Sequence, residues 1–141
     1  MREEDQLGAA MVRLSAGLEF GTGLALLAVP SVVIKLLIGP PAAERLALIG
    51  RVFGGALVAL GVAGLLADGE PPTRGVVCAF TSYNASTAAI LGAAGASEAA
   101  DGVLLWPVVV FHAGAAAALA PHALRARPAT RARLFLRRSP R

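Results

Sequence analysis

The sequence predicts an all-α integral membrane protein, an up-down bundle of four transmembrane helices. Three observations lead there. First, four apolar stretches run over about 14–38, 46–67, 75–95 and 102–120. A helix of about 20 mainly apolar residues crosses the ~30 Å hydrocarbon layer, and each stretch meets that length. Second, hydrophobic residues make up 56% of the 141-residue chain and charged residues 16%, with a mean hydropathy of +0.67. A water-soluble domain this apolar lacks the polar surface to cover itself. Third, the apolar runs show no alternation of period two and exceed strand length, which favours helices over a transmembrane barrel.

Taken in order, residues 1–13 form a short N-terminus that opens Met-Arg-Glu-Glu-Asp. That acidic start differs from the positive region of a signal peptide, so the first stretch reads as a retained helix. Gly39-Pro40-Pro41 ends it, residues 68–72 (Asp-Gly-Glu-Pro-Pro) separate the second stretch from the third, and residues 98–102 separate the third from the fourth. Consecutive prolines cannot continue a helix, because they lack donors and clash with the preceding turn. Links this short make neighbouring helices antiparallel. Residues 14–120 thus form one transmembrane domain, followed by a basic tail over 121–141 in which Pro121 and Pro128 interrupt helix continuation.

Charge sets the expected orientation. The side with both termini and the 68–74 loop carries ten basic residues: Arg2, Arg13, Arg74 and seven tail arginines. The opposite side carries three, Lys35, Arg45 and Arg51. The positive-inside rule then places both termini in the cytoplasm. The abundance of Ala, Gly and Arg beside a single Lys points to a bacterial inner membrane. In the tail, Arg131, Arg133, Arg137 and Arg138 flank Leu134, Phe135 and Leu136, a pattern suited to lipid headgroups or an acidic partner. Because the basic residues flank a span, nucleic acid is not an expected partner. Cys78, alone and inside the third stretch, permits no intramolecular disulfide and reads as a small apolar residue. No metal-ligand spacing occurs, and no particular cofactor is indicated.

Within lipid, helices associate through small residues that let backbones approach. Gly17 and Gly21 form one GxxxG pattern, Gly50 and Gly54 another, and Gly61 extends the second. The second stretch is therefore the expected close-packing helix. Any small-residue face left over is available to another protein's helix.

Ionisable groups inside spans are costly and mark candidate sites. Glu19 falls about 8 Å inside the first stretch, and His112 about 12 Å from the same side, at 1.5 Å rise per residue. Asn84 sits at a similar depth among Thr81, Ser82, Tyr83, Ser86 and Thr87. If their faces converge, Glu19, Asn84 and His112 form one polar cluster. A carboxylate beside an imidazole suits proton relay or a quinone head group. The competing reading has Asn84 and His112 merely hydrogen-bonding across helices, and Glu19 reaching toward Arg13 at the interface.

The run Arg13-Leu14-x-x-Gly17-Leu18-x-Phe20-x-x-Gly23 resembles the DoxX-like group of small bacterial membrane proteins, over the first two spans at most. That resemblance implies association with membrane redox assemblies, such as thiosulfate:quinone oxidoreductase, and carries over no catalytic residue. The expectation is a non-catalytic accessory or helix-packing subunit among membrane lipids, beside other subunits or copies of itself. The alternative is a small transporter or a quinone- or lipid-interacting protein using Glu19, Asn84 and His112. An enzyme is the weakest reading, since neither paired acids nor metal-ligand spacing appears.

Overall fold

The computed structural model describes residues 3–40, 44–67 and 74–125. The tail arginines Arg131, Arg133, Arg137 and Arg138 lie outside them. Among the described residues five helices follow one another: α1 (Glu3–Ala28), α2 (Pro30–Leu37), α3 (Ala47–Leu65), α4 (Arg74–Ala96) and α5 (Leu105–Arg125). All except the short α2 are long and apolar enough to cross a membrane. Their outward faces carry Leu14, Leu24, Ile49, Val52, Ile90 and Val110, all exposed, while Ser15, Glu19, Asn84 and His112 are buried. An apolar exterior around a partly polar interior is the arrangement lipid imposes on a helical bundle. The chain is a small multi-pass membrane protein.

The first apolar stretch differs from the expected single span of 14–38. It contains two helices, divided at Val29, whose backbone (φ −133°, ψ 58°) leaves helical geometry. Pro30 is the cause: its ring cannot donate to the carbonyl one turn back and crowds that turn, so α2 restarts with proline in its first turn. At the other end α1 begins at Glu3, well before the apolar boundary. The stretch that meets membrane length is therefore Gln6–Ala28. A second difference lies in α5, which continues through Pro121 to Arg125. One lost backbone bond is tolerated where the rest of the helix stays packed.

Two antiparallel pairs make the bundle. α1 lies along α3, α4 lies along α5, and α1 also touches α5 and α4. The buried residues of α3 are Gly50, Gly54, Leu57, Gly61 and Gly64, spaced 4-3-4-3 along one seam. Four of the five have no side chain, so backbone meets backbone. A Cβ on Gly54 would stand 2.8 Å from the Gly23 carbonyl oxygen, and one on Gly61 2.8 Å from that of Ala16. On α1 the glycine facing this seam is Gly23. The expectation that Gly17 and Gly21 pack closely is not met: both are exposed, with open space where a Cβ would go. Helical phase explains it, since the inward stripe of α1 passes through Val12, Ala16, Glu19, Gly23 and Leu26.

The end of α2 is tied to the link between α4 and α5. Gly39 takes a left-handed φ of 117° and donates to the Lys35 carbonyl at 3.1 Å, which closes the helix. The carbonyls of Leu36 and Ile38 accept from the backbone N–H of Leu104 (2.9 Å) and Asp101 (3.1 Å). Between these two bonds Gly102 lies against the Leu36 and Leu37 backbone, where any Cβ would collide. Helix ends leave carbonyls unpaired, and here a different part of the chain supplies the donors.

Gly61→Ala is expected to lower stability by about 1–3 kcal/mol, because the new methyl group would meet rigid backbone. Gly21→Ala is expected to be neutral or to add about 0.5–1 kcal/mol through helix propensity. Thermal unfolding in mild detergent, followed by circular dichroism, compares the two; equal shifts would contradict the seam described above.

Candidate functional site

The bundle brings Glu19, Asn84 and His112 together. Each sits near the middle of its own span: Glu19 within Gln6–Ala28, Asn84 within Arg74–Ala96 and His112 within Leu105–Leu124. Glu19 is thus much deeper than the 8 Å inferred from the apolar boundary, because α1 starts earlier than that boundary. All three are shut off from the surface, at 2%, 0% and 4% exposure.

Helical phase puts them there. On α1 the inward stripe presents Ser15 and Glu19 one turn apart. On α4 the buried residues Val77, Phe80 and Asn84 follow the same 3-4 spacing. On α5 the buried stripe passes through Leu105, His112, Ala115 and Leu119. Where the three stripes meet, the polar residues share one level.

Two hydrogen bonds fix the orientation of Asn84. Its Nδ2 donates to the Phe80 carbonyl one turn back, at 2.8 Å. Its Oδ1 faces His112 Nδ1 at 2.7 Å, and as an acceptor it suits the tautomer with hydrogen on Nδ1. The same Nδ1 lies 3.9 Å from Glu19 Oε1, beyond hydrogen-bond reach. Tyr83 donates its hydroxyl to the other carboxylate oxygen, Oε2, at 2.9 Å. Tyr83 and Phe111 stand edge-on to the His112 ring, with centroids 5.6 and 5.4 Å away. Oε1 of Glu19 and Oγ of Ser15 are buried and have no hydrogen-bond partner among the described residues. Burying a polar atom without a partner is expensive, which makes these two oxygens the chemically open part of the site.

Apolar layers close both ends. Val12, Ala16, Val77, Phe80 and Leu119 pack together on the side of the α1 N-terminus. Leu26, Ile34 and Leu57 pack on the other side, with Tyr83 against them. The polar level is enclosed between them.

Sequence reasoning passed over two members of this site. Tyr83 appeared only as company for Asn84. Its signal was its position next to Asn84, which turns it about 100° around α4. Ser15 could have been found from its i, i+4 spacing to Glu19. The remaining sequence candidates sit elsewhere. Gly50, Gly54 and Gly61 lie in the α1–α3 seam, Gly17 and Gly21 on the outer face of α1, and Arg51 is exposed at the start of α3. Among the described residues no group of three His, Cys, Asp or Glu side chains is placed to hold a metal ion.

Fold and site together define a polytopic helical membrane protein with a polar centre enclosed in its bundle. The chain matches no protein-family model, no curated protein and no solved structure.

Tyr83→Phe removes the one hydrogen-bond donor to Glu19 among the described residues and is expected to cost about 1–3 kcal/mol. Thermal unfolding measures it, and adding Glu19→Leu to the same chain is expected to recover most of the loss. An unchanged melting temperature in Tyr83→Phe would show that the bond contributes nothing.

Proposed function

We propose that this protein is a small membrane transporter whose enclosed centre binds and passes a small polar or charged species. One observation carries the reading: Glu19 Oε1 is buried near the middle of its span without a hydrogen-bond partner among the described residues, between two apolar layers, beside an imidazole. A purely structural polar residue in a bundle would be expected to satisfy both its oxygens, since an unmet polar atom in lipid destabilises the fold. Intramembrane ionisable groups that persist despite that cost mark ion or substrate sites by default. Four helices of this size enclose little space, so the working form is an oligomer.

A second reading keeps the chain as an accessory subunit, in line with the resemblance to DoxX-like proteins. It draws on Gly17, Gly21 and Gly55, which face outward with open space around them, as a surface for another protein's helix would. The Ala-, Gly- and Arg-rich composition favours a bacterial inner membrane, and the basic flanks favour both termini in the cytoplasm. In that case Ser97→Cys, in the link before α5, reacts with a membrane-impermeant thiol reagent from outside intact cells; labelling only after lysis would reverse the orientation.

The test of transport uses the full chain in sealed lipid vesicles under an imposed membrane potential, with tracers for protons, sodium, potassium and small polar solutes. At least one species is expected to move faster than in empty vesicles. Glu19→Gln is expected to slow it at least tenfold while helix content stays unchanged. Equal rates for wild type and variant would sink the proposal and leave the accessory reading.

A further inference from the structure

Resting on the reading above, we infer that the species handled by this centre is a proton, exchanged between His112 and Glu19, with Asn84 as the positioning residue that decides which imidazole nitrogen carries hydrogen. The supply of ligands favours this. The centre offers two unpartnered oxygens, Ser15 Oγ and Glu19 Oε1. A hard metal cation takes about six or more oxygen ligands, whereas a proton needs one atom at a time.

The hydrogen-bond geometry supplies the exchange. Asn84 turns its amide nitrogen toward the Phe80 carbonyl and so presents its carbonyl oxygen to the imidazole. The neutral ring must then hold its hydrogen on Nδ1, with the lone pair on Nε2. Glu19 Oε1 and Asn84 Oδ1 face the same Nδ1, at 3.9 and 2.7 Å. A shift of roughly 1 Å brings Oε1 within hydrogen-bond distance.

Loading then balances. An incoming proton bonds to the Nε2 lone pair and gives the imidazolium. The Nδ1–H bond breaks, its electron pair staying on nitrogen, while an O–H bond forms at Glu19 Oε1. The products are a neutral carboxyl group and a neutral ring carrying hydrogen on Nε2. In that state the Asn84 carbonyl faces a lone pair, an unfavourable contact that favours return of the hydrogen from Oε1 to Nδ1. The imidazolium so formed then releases its Nε2 proton, so the centre takes up and gives back a proton reversibly. Tyr83 keeps donating to Oε2 throughout. The ionisable groups facing Glu19 are Tyr83 from α4 and His112 from α5. The buried residues of α3 and α2 are glycine, leucine, isoleucine and proline, and Arg13, Lys35 and Arg51 are exposed.

The test is ¹⁵N magnetic resonance of the full chain with labelled histidine, reconstituted in lipid. The chain has two histidines, so His122→Gln identifies the His112 signals. Neutral His112 is expected to carry hydrogen on Nδ1, and Asn84→Leu to turn the majority of rings to the Nε2–H form. A wild-type ring already in the Nε2–H form, or a ring indifferent to Asn84→Leu, would overturn the inference. Should Asn84→Leu fail to fold, the wild-type signal alone still decides. Vesicle transport separates this inference from the reading beneath it. Proton movement that requires Glu19, without Glu19-dependent sodium or potassium movement, supports both. Glu19-dependent movement of a metal cation unaffected by pH overturns the proton and leaves the site. No Glu19-dependent movement of any species overturns both.

Discussion

The backbone contact between α1 and α3 is the constraint on which the rest of the molecule depends. In lipid there is no hydrophobic force to press two apolar helices together, so dispersion across a close, complementary surface must do so. The glycines at 50, 54, 61 and 64 leave the α3 backbone bare, and Gly23 does the same on α1. α1 therefore settles deep enough to touch α4 and α5 with the edge of its inward stripe. Glu19 lies on that edge. With bulkier residues in the seam α1 would move outward, and Glu19 would lose Tyr83 and His112 together. The glycines act on the chemistry of the centre without touching it.

Enclosure gives the polar centre its character. Between two apolar layers, charges and dipoles interact with little screening, so small displacements carry large energetic consequences. The donors here are distributed unequally. Tyr83 serves one carboxylate oxygen, Asn84 holds the imidazole hydrogen, and the other carboxylate oxygen is left over. A network satisfied at every atom would be rigid, whereas this one has a second arrangement within reach.

Much of this was legible in the sequence, and the failures have physical causes. Hydropathy alone indicated four apolar stretches of membrane length, of which the later three overlie α3, α4 and α5 and the first was set too far along the chain. The glycines at 50, 54 and 61 marked α3 as the close-packing helix. Nothing in a GxxxG pattern says which way it faces, so Gly17 and Gly21 were given a role that belongs to Gly23. Apolar boundaries also mislead about depth. α1 carries a further apolar run, 7–12, before Arg13, so the stretch of membrane length begins at Gln6 and Glu19 lies near its middle. Pro30 broke the first stretch, while Pro121 was absorbed by α5. The difference is position: α1 ends at Ala28 and α2 restarts at Pro30, whereas Pro121 sits in a helix still packed against its neighbours. The convergence of Glu19, Asn84 and His112 depended on how three helices are rotated, which a single sequence suggests only as a condition.

The clasp between α2 and the link at residues 101–104 has a consequence for biogenesis. The carbonyls of Leu36 and Ile38 are made early, and the N–H groups that satisfy them belong to the segment leading into the last span. While the ribosome is still producing α3 and α4, the end of α2 has no partner within the chain and must rely on water or headgroups. Entry of α5 therefore does more than add a fourth wall. It brings His112 opposite Glu19 and closes the end of α2 in the same event, so completion of the polar centre and of the backbone pairing is timed to the entry of α5.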